Sequence, residues 1–157
     1  MRSLVDIRIG PGSKRNPHLG RTALERWLPS YGVAYRWERR LGGFRPAPAD
    51  SPDVALRNES FRGYAAHMRT AEFAEAVDAV LDEAAGHVTA VMCSETVWWR
   101  CHRRLVSDFV ALARDVEVLH LMPGGRLTPH VPTQGVRLRD DGLLVYDDGL
   151  LAFDPGP

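Results

Sequence analysis

Cysteine and lysine are almost missing from this chain, and so is any long apolar run. Only Cys93 and Cys101 carry a thiol, too few for a disulfide scaffold, so a chain of 157 residues must be held by its own core. At this length about 70% of the unfolded surface is buried. No stretch approaches the ~20 apolar residues of a membrane span, and Met1-Arg2-Ser3-Leu4-Val5-Asp6 opens the chain without a signal-like apolar region. These absences point to a soluble, cytoplasmic protein with free thiols in a reducing compartment and no membrane partner. Net charge is missing too: 20 basic residues balance 20 acidic ones, which argues against a broad electrostatic grip on duplex nucleic acid. Lys14 is the only lysine, so nearly every cation is an arginine, the planar fork suited to carboxylate and phosphate. An arginine- and alanine-rich genome explains that bias equally well.

What is present alternates between two periodicities. Leu4–Ile7, Val33–Trp37, Val88–Met92 and Val116–Leu121 read as short strands, the third nearly all apolar as in a parallel sheet covered on both faces. Helices fall between them. Thr22 with Glu25 suggests a capping box ahead of a short helix ended by Pro29 and Gly32. Thr70 opens a longer helix that keeps helical spacing through Phe73, Val77 and Val80 until Gly86. A third helix follows Cys101, with Leu105, Phe109 and Leu112 on its apolar face and Arg104 paired with Asp108 one turn on, on the wet side. The pattern predicts one α/β domain over residues 1–157, with a mainly parallel sheet and helices on both faces. The tail, residues 131–157, carries a tandem Asp-Asp-Gly-Leu-Leu repeat at Asp140 and Asp147, whose Asp-Gly steps predict a short antiparallel hairpin appendage. Gly42-Gly43 and the segment Pro46–Pro52 lack periodicity and read as a loop suited to a mobile flap.

Reactive groups crowd one junction. Cys93-Ser94-Glu95-Thr96-Val97-Trp98-Trp99-Arg100-Cys101-His102-Arg103-Arg104 runs from the end of a strand into a helix and brings thiols, a carboxylate, an imidazole and three guanidiniums together. In a parallel α/β sheet, ligands bind beyond the carboxyl ends of the strands. There the topology would gather Asp6 and Arg8, the loop Gly10–Asn16 with Ser13, then Cys93 with Glu95, and His120. Arg100, Arg103 and Arg104 sit at the positive end of a helix dipole, which calls for an anion to compensate; Glu95 and Asp108 could serve, or a bound phosphate or carboxylate.

Each motif is incomplete taken alone. A strand-to-helix setting lowers a thiol pKa, yet a phosphatase-like loop needs five residues between cysteine and arginine, and six separate Cys93 from Arg100. The seven residues between Cys93 and Cys101 do not fit a zinc knuckle, so no metal is expected. A Cys93–Cys101 disulfide depends on backbone geometry. The Gly10–Asn16 loop lacks the Walker spacing. His102 on an apolar face reads as a core histidine, while His18, His120 and His130 are each weak evidence alone. Trp98-Trp99-Arg100 and Arg39–Arg45 could stack and pair with nucleotide bases, or simply pack.

Taken in order, these residues resemble a known family. Val5-Asp6-Ile7-Arg8, Pro11-Gly12-Ser13-Lys14-Arg15-Asn16-Pro17, Leu41-Gly42-Gly43, Gly63-Tyr64, Phe73, Met92-Cys93-Ser94-Glu95, Cys101-His102-Arg103-Arg104 and His120 are similar to the domain of unknown function 488 family, from about Leu4 to about His130. The resemblance implies no established reaction. Members usually begin with a further strand and helix, whereas here Met1 sits almost on the aspartate-x-arginine strand. Either the start is placed late, or a sheet position is left for a partner chain, as in a homodimer.

Two readings stand side by side. In one, Arg8, Ser13, Arg100 and Arg103 hold a small anion such as a phosphate or nucleotide, Cys93 is a nucleophile or redox thiol, and Asp6, Glu95 and His102 handle protons or orient neighbours, with no cofactor. In the other, a module without chemistry binds nucleic acid or an acidic protein. A purely structural role for the cluster is the third account.

Overall fold

A computed structural model describes residues 1–149, which group into two compact units: Met1–Gly43 with Ala71–Glu95, and Phe44–Thr70 with the chain from Thr96. The Leu150-Leu151 end of the second Asp-Asp-Gly repeat lies outside the described residues. The α/β reading holds, with a three-stranded parallel sheet and small antiparallel sheets.

In the first unit, β1 (Ser3–Asp6) lies between β2 (Ala34–Trp37) and β3 (Thr89–Met92), with Leu4 level with Tyr35 on one side and Ala90 on the other. Val5, central in β1, is fully buried, whereas β3 is an edge strand and only half-buried, so its apolar run does not signal cover on both faces. The helix α1 (Arg21–Trp27) starts after Gly20 rather than at a Thr22 cap. Thr22 falls inside the first turn because the Arg21 amide is already held by the Pro11 carbonyl, and Glu25 pairs with Arg21 at 2.7 Å instead. Leu24, Leu28 and Val33 form a core cluster against Leu4, Leu19, Tyr35 and Met92, each buried aliphatic side chain contributing about 1.5–3 kcal/mol. In the same unit lies a long helix from Ala71 to Gly86, which buries Phe73, Ala76, Val77 and Val80.

The second unit has its own elements. The preceding helix in the chain, α2 (Glu59–Met68), is capped by the Asn58 side chain on the Ser60 amide; the long helix is therefore α3. A further helix, α4 (Arg103–Ala113), is followed by a ribbon of β4 (Leu119–Leu121) and β5 (Leu127–Pro129), and then by β6 (Val136–Leu138) and β7 (Leu144–Tyr146). Both strand pairs are antiparallel. The expected fourth parallel strand is therefore corrected: only Leu119–Leu121 is extended, and it pairs with β5 across a turn in which Gly124 and Gly125 take positive φ. A turn this close in sequence closes a hairpin far sooner than a crossover could return the chain to the parallel sheet. The first Asp-Asp-Gly repeat makes the β6–β7 turn, with Gly142 at φ +79.

The loop expected as a flap has no regular structure, but its start is seated on α2. A Cβ on Gly63 would stand 1.9 Å from the Arg45 carbonyl oxygen. Gly63→Ala should therefore lower stability by about 2–4 kcal/mol, seen as a fall in Tm, because backbone rather than a flexible side chain must yield. Gly86→Ala, with no atom in reach of its Cβ, should be neutral or raise Tm slightly.

Candidate functional site

The predicted site residues divide between the two units. Asp6, Arg8, Ser13, Cys93 and Glu95 belong to the first, Arg100, His102 and Arg103 to the second.

In the first unit Asp6 ends β1 with a carboxylate that is wholly buried and fully employed. Its Oδ1 accepts from the Arg8 amide at 3.1 Å and Arg8 Nε at 2.9 Å, and its Oδ2 accepts from the Tyr35 hydroxyl at 2.7 Å. Arg8 also donates to the Leu19 carbonyl at 2.9 Å and is itself buried. The hydrogen bonds that Arg8 donates to Asp6 raise its guanidinium further above its ordinary value, against the opposing effect of burial. Burial first, and the Asp6 contact second, push the Tyr35 phenol up, so it stays a donor. The Ser13 hydroxyl accepts from the Asn16 amide at 2.9 Å, closing the Gly10–Asn16 loop on itself. Beside this loop an open cavity of about 410 Å3 is lined by Pro11, Gly12, Gly20, Arg21 and Arg26. Cys93, buried and outside any disulfide, receives the Glu95 amide on its sulfur at 3.4 Å.

In the second unit Trp98–Arg100 forms a 3-10 turn ahead of α4. Arg100 is exposed, and the His102 ring lies tilted against Tyr64 at 5.1 Å. Arg103 Nε donates to Cys101 Sγ at 3.2 Å.

The most developed polar arrangement uses residues the sequence reading did not assemble. Asp108 was expected on the wet side of its helix, paired with Arg104; it is 0% exposed. Arg104 and Asp108 do share a face, but Thr133 stands at it: Arg104 Nε donates to Thr133 Oγ1 at 2.8 Å, and the Thr133 amide donates to Asp108 Oδ1 at 2.9 Å. The same Oδ1 lies 2.8 Å from His130 Nε2, and Oδ2 accepts from the Tyr146 hydroxyl at 2.9 Å. His130 Nδ1 is in turn 2.9 Å from His120 Nε2, and the His120 ring stacks on Trp98 with centroids 4.0 Å apart and planes 3° from parallel. Burial of polar groups on this scale is tolerated only when each is bonded.

The order of these bonds sets the tautomers. With both rings neutral, His130 Nε2–H donates to Asp108, His130 Nδ1 accepts from His120 Nε2–H, and His120 is left with a lone pair on Nδ1. Burial first, then the neighbouring His130 ring and the charge of Arg103, push His120 down to about 4, so at neutral pH its ring is uncharged. Among the described residues no three or more His, Cys, Asp or Glu side chains are grouped so as to hold a metal ion, and Asp108, His130 and His120 bond in series rather than converging.

The sequence carried a signal for this chain. In β4 the neighbours of His120, Leu119 and Leu121, are exposed, so strand alternation turns His120 inward. The Pro123-Gly124-Gly125 turn then returns His130, whose amide bonds the Val118 carbonyl.

The low value of His120 makes stability depend on pH. The unfolded imidazole, with its ordinary value near 6.5, binds a proton that the folded one refuses until about 4. Stability from this group is therefore present above pH ~6.5 and lost as pH falls towards ~4. In His120→Gln the fall of Tm across that window should be shallower than in the wild type, measured by calorimetry at half-unit steps.

Among the described residues no helix is long and apolar enough to cross a membrane. No curated protein and no solved structure matches the chain. Residues 1–110 do match a family, covering β1 to β3 and most of α4, and with them the aspartate-x-arginine strand and the Cys-x-Glu and Cys-His-Arg motifs. On that match the chain belongs to the family described as Domain of unknown function DUF488.

Proposed function

We propose that the protein performs acid–base chemistry on a small anionic substrate, a phosphate ester or nucleotide, with His120 as the base. One observation carries this reading: a buried carboxylate, Asp108, orients His130, which orients His120, whose remaining ring nitrogen is neutral at pH 7. A carboxylate behind an imidazole fixes its tautomer and steadies the cation formed when it takes a proton. Arg103, whose charge acts on His120, supplies the attraction for an anion. Arg100, exposed three residues before the start of α4, adds a second cation. The test is hydrolysis of p-nitrophenyl esters, phosphate and acetate, by the wild type and His120→Gln. Turnover should drop by about 10²–10⁴-fold in the variant with its fold intact; equal rates in the two proteins overturn the reading.

A thiol reading of Cys93 rests on a separate observation, the Glu95 amide donated to its sulfur. As nucleophile or redox thiol, Cys93 would be alkylated by iodoacetamide with a midpoint well below the free value of about 8.5. Cys93→Ser identifies its share of the reaction, and a midpoint at or above that value removes the proposal. In the first unit the proposed anion-binding residues are Arg8, which is paired with Asp6, and Ser13, in the loop beside the cavity that Arg21 and Arg26 line. Binding of nucleic acid or an acidic partner is favoured by the exposed Trp99 beside Arg100.

A further inference from the structure

We propose that Tyr146 is a positioning residue for this imidazole pair, its hydroxyl holding the Asp108 carboxylate in the orientation that aims Oδ1 at His130. The inference rests on the acid–base reading and extends it to a residue on a different strand. A carboxylate at the end of a helical side chain turns freely about its last bond unless both oxygens are held. In Asp108 one oxygen is held by the Thr133 amide and His130, and the other by Tyr146.

The tyrosine is itself placed with unusual firmness. Its ring is wholly buried, its amide donates to Asp53 Oδ1 at 3.1 Å, and its carbonyl accepts from the Ala55 amide at 2.8 Å. Asp53 is gripped through both oxygens by Arg69, at 2.9 and 2.6 Å, and Arg69 also bonds the Leu144 carbonyl at 3.1 Å on the same strand. A continuous set of bonds thus runs from Arg69 through Asp53 to the Tyr146 backbone, and from the Tyr146 hydroxyl through Asp108 and His130 to His120. The phenol remains a proton donor throughout, since burial and the neighbouring Asp108 raise it well above 10. When His120 takes a proton at Nδ1 its Nε2 proton stays on the bond to His130, and the carboxylate at the far end faces the new charge.

The readout is the titration of His120, followed by NMR of its ring in the full chain without substrate. Arg103, His130 and Asp108 act on His120, and Asp53 and Arg104 face Tyr146; the variants leave all five in place. Tyr146→Phe keeps the ring and removes only the hydroxyl. Asp108 then gives more of its charge to His130, and His120 should titrate about one pH unit higher. Site-specific replacement of Tyr146 by 3,5-difluorotyrosine, a stronger donor of the same shape, should move the titration down, and decides the matter where the phenylalanine variant does not fold. Shifts below 0.2 unit in the folded variants mean that Tyr146 only packs, and overturn the inference. Because no substrate is present, this result is separate from the ester assay: a shifted titration with unchanged ester turnover in His120→Gln keeps Tyr146 as positioning residue and removes the proposed activity.

Discussion

One buried carboxylate ties the second unit together. Asp108 projects from α4 and takes hydrogen bonds from three places: the backbone at Thr133, the imidazole of His130 next to β5, and the hydroxyl of Tyr146 on β7. None of these segments is long. The strands have three residues each, so their ladders contribute only a few hydrogen bonds, and a ribbon of two such strands is marginal by itself. Convergence on a common acceptor substitutes for a broad sheet. The arrangement carries a liability, since taking away one partner of a buried charge costs about 3–5 kcal/mol.

The first unit also centres on buried carboxylates, here met by arginines. Glu38 is buried, which opposes its ionisation, but Arg40 and Arg36 bond it at 2.8 and 2.7 Å and hold its carboxyl below the ordinary value. Arg36 extends to Glu83 of α3, whose other oxygen takes the Ser3 hydroxyl of β1 at 2.9 Å. Asp6 and Arg8 do the equivalent at the strand end. An ammonium could not make these forked contacts, so the near absence of lysine has a structural counterpart in the arginines that face inward.

How much of this was readable beforehand depends on the range of the interaction. Strands and helices set by local periodicity came through: β1, β2 and β3 lie within a residue of their expected spans, and the long helix ends at Gly86. The hairpin at Asp140–Gly142 followed from its Asp-Gly step. What failed was partnership. Val116–Leu121 has the apolar content of a parallel strand, and only the glycine pair after it, weighted more heavily, would have sent it into a ribbon. Asp108 four residues after Arg104 matches a solvated pair, and nothing local reports that Thr133, distant in sequence, occupies that face. His120 and His130 were each noticed, yet two histidines ten apart become one device only when the turn between them is known.

The alternation in β4 exposes a conflict. Leu119 and Leu121 face solvent while a polar ring is tucked inward between them, the reverse of what hydrophobicity alone would choose. Sliding the strand by one position would tuck leucines in and expel the imidazole. The frame that exists is therefore dictated by polar attachment, and the greasy outer surface of the ribbon is the penalty it accepts. Acid that protonates the ring sets a charge in this enclosed place, so this ribbon is where acidification strains the molecule.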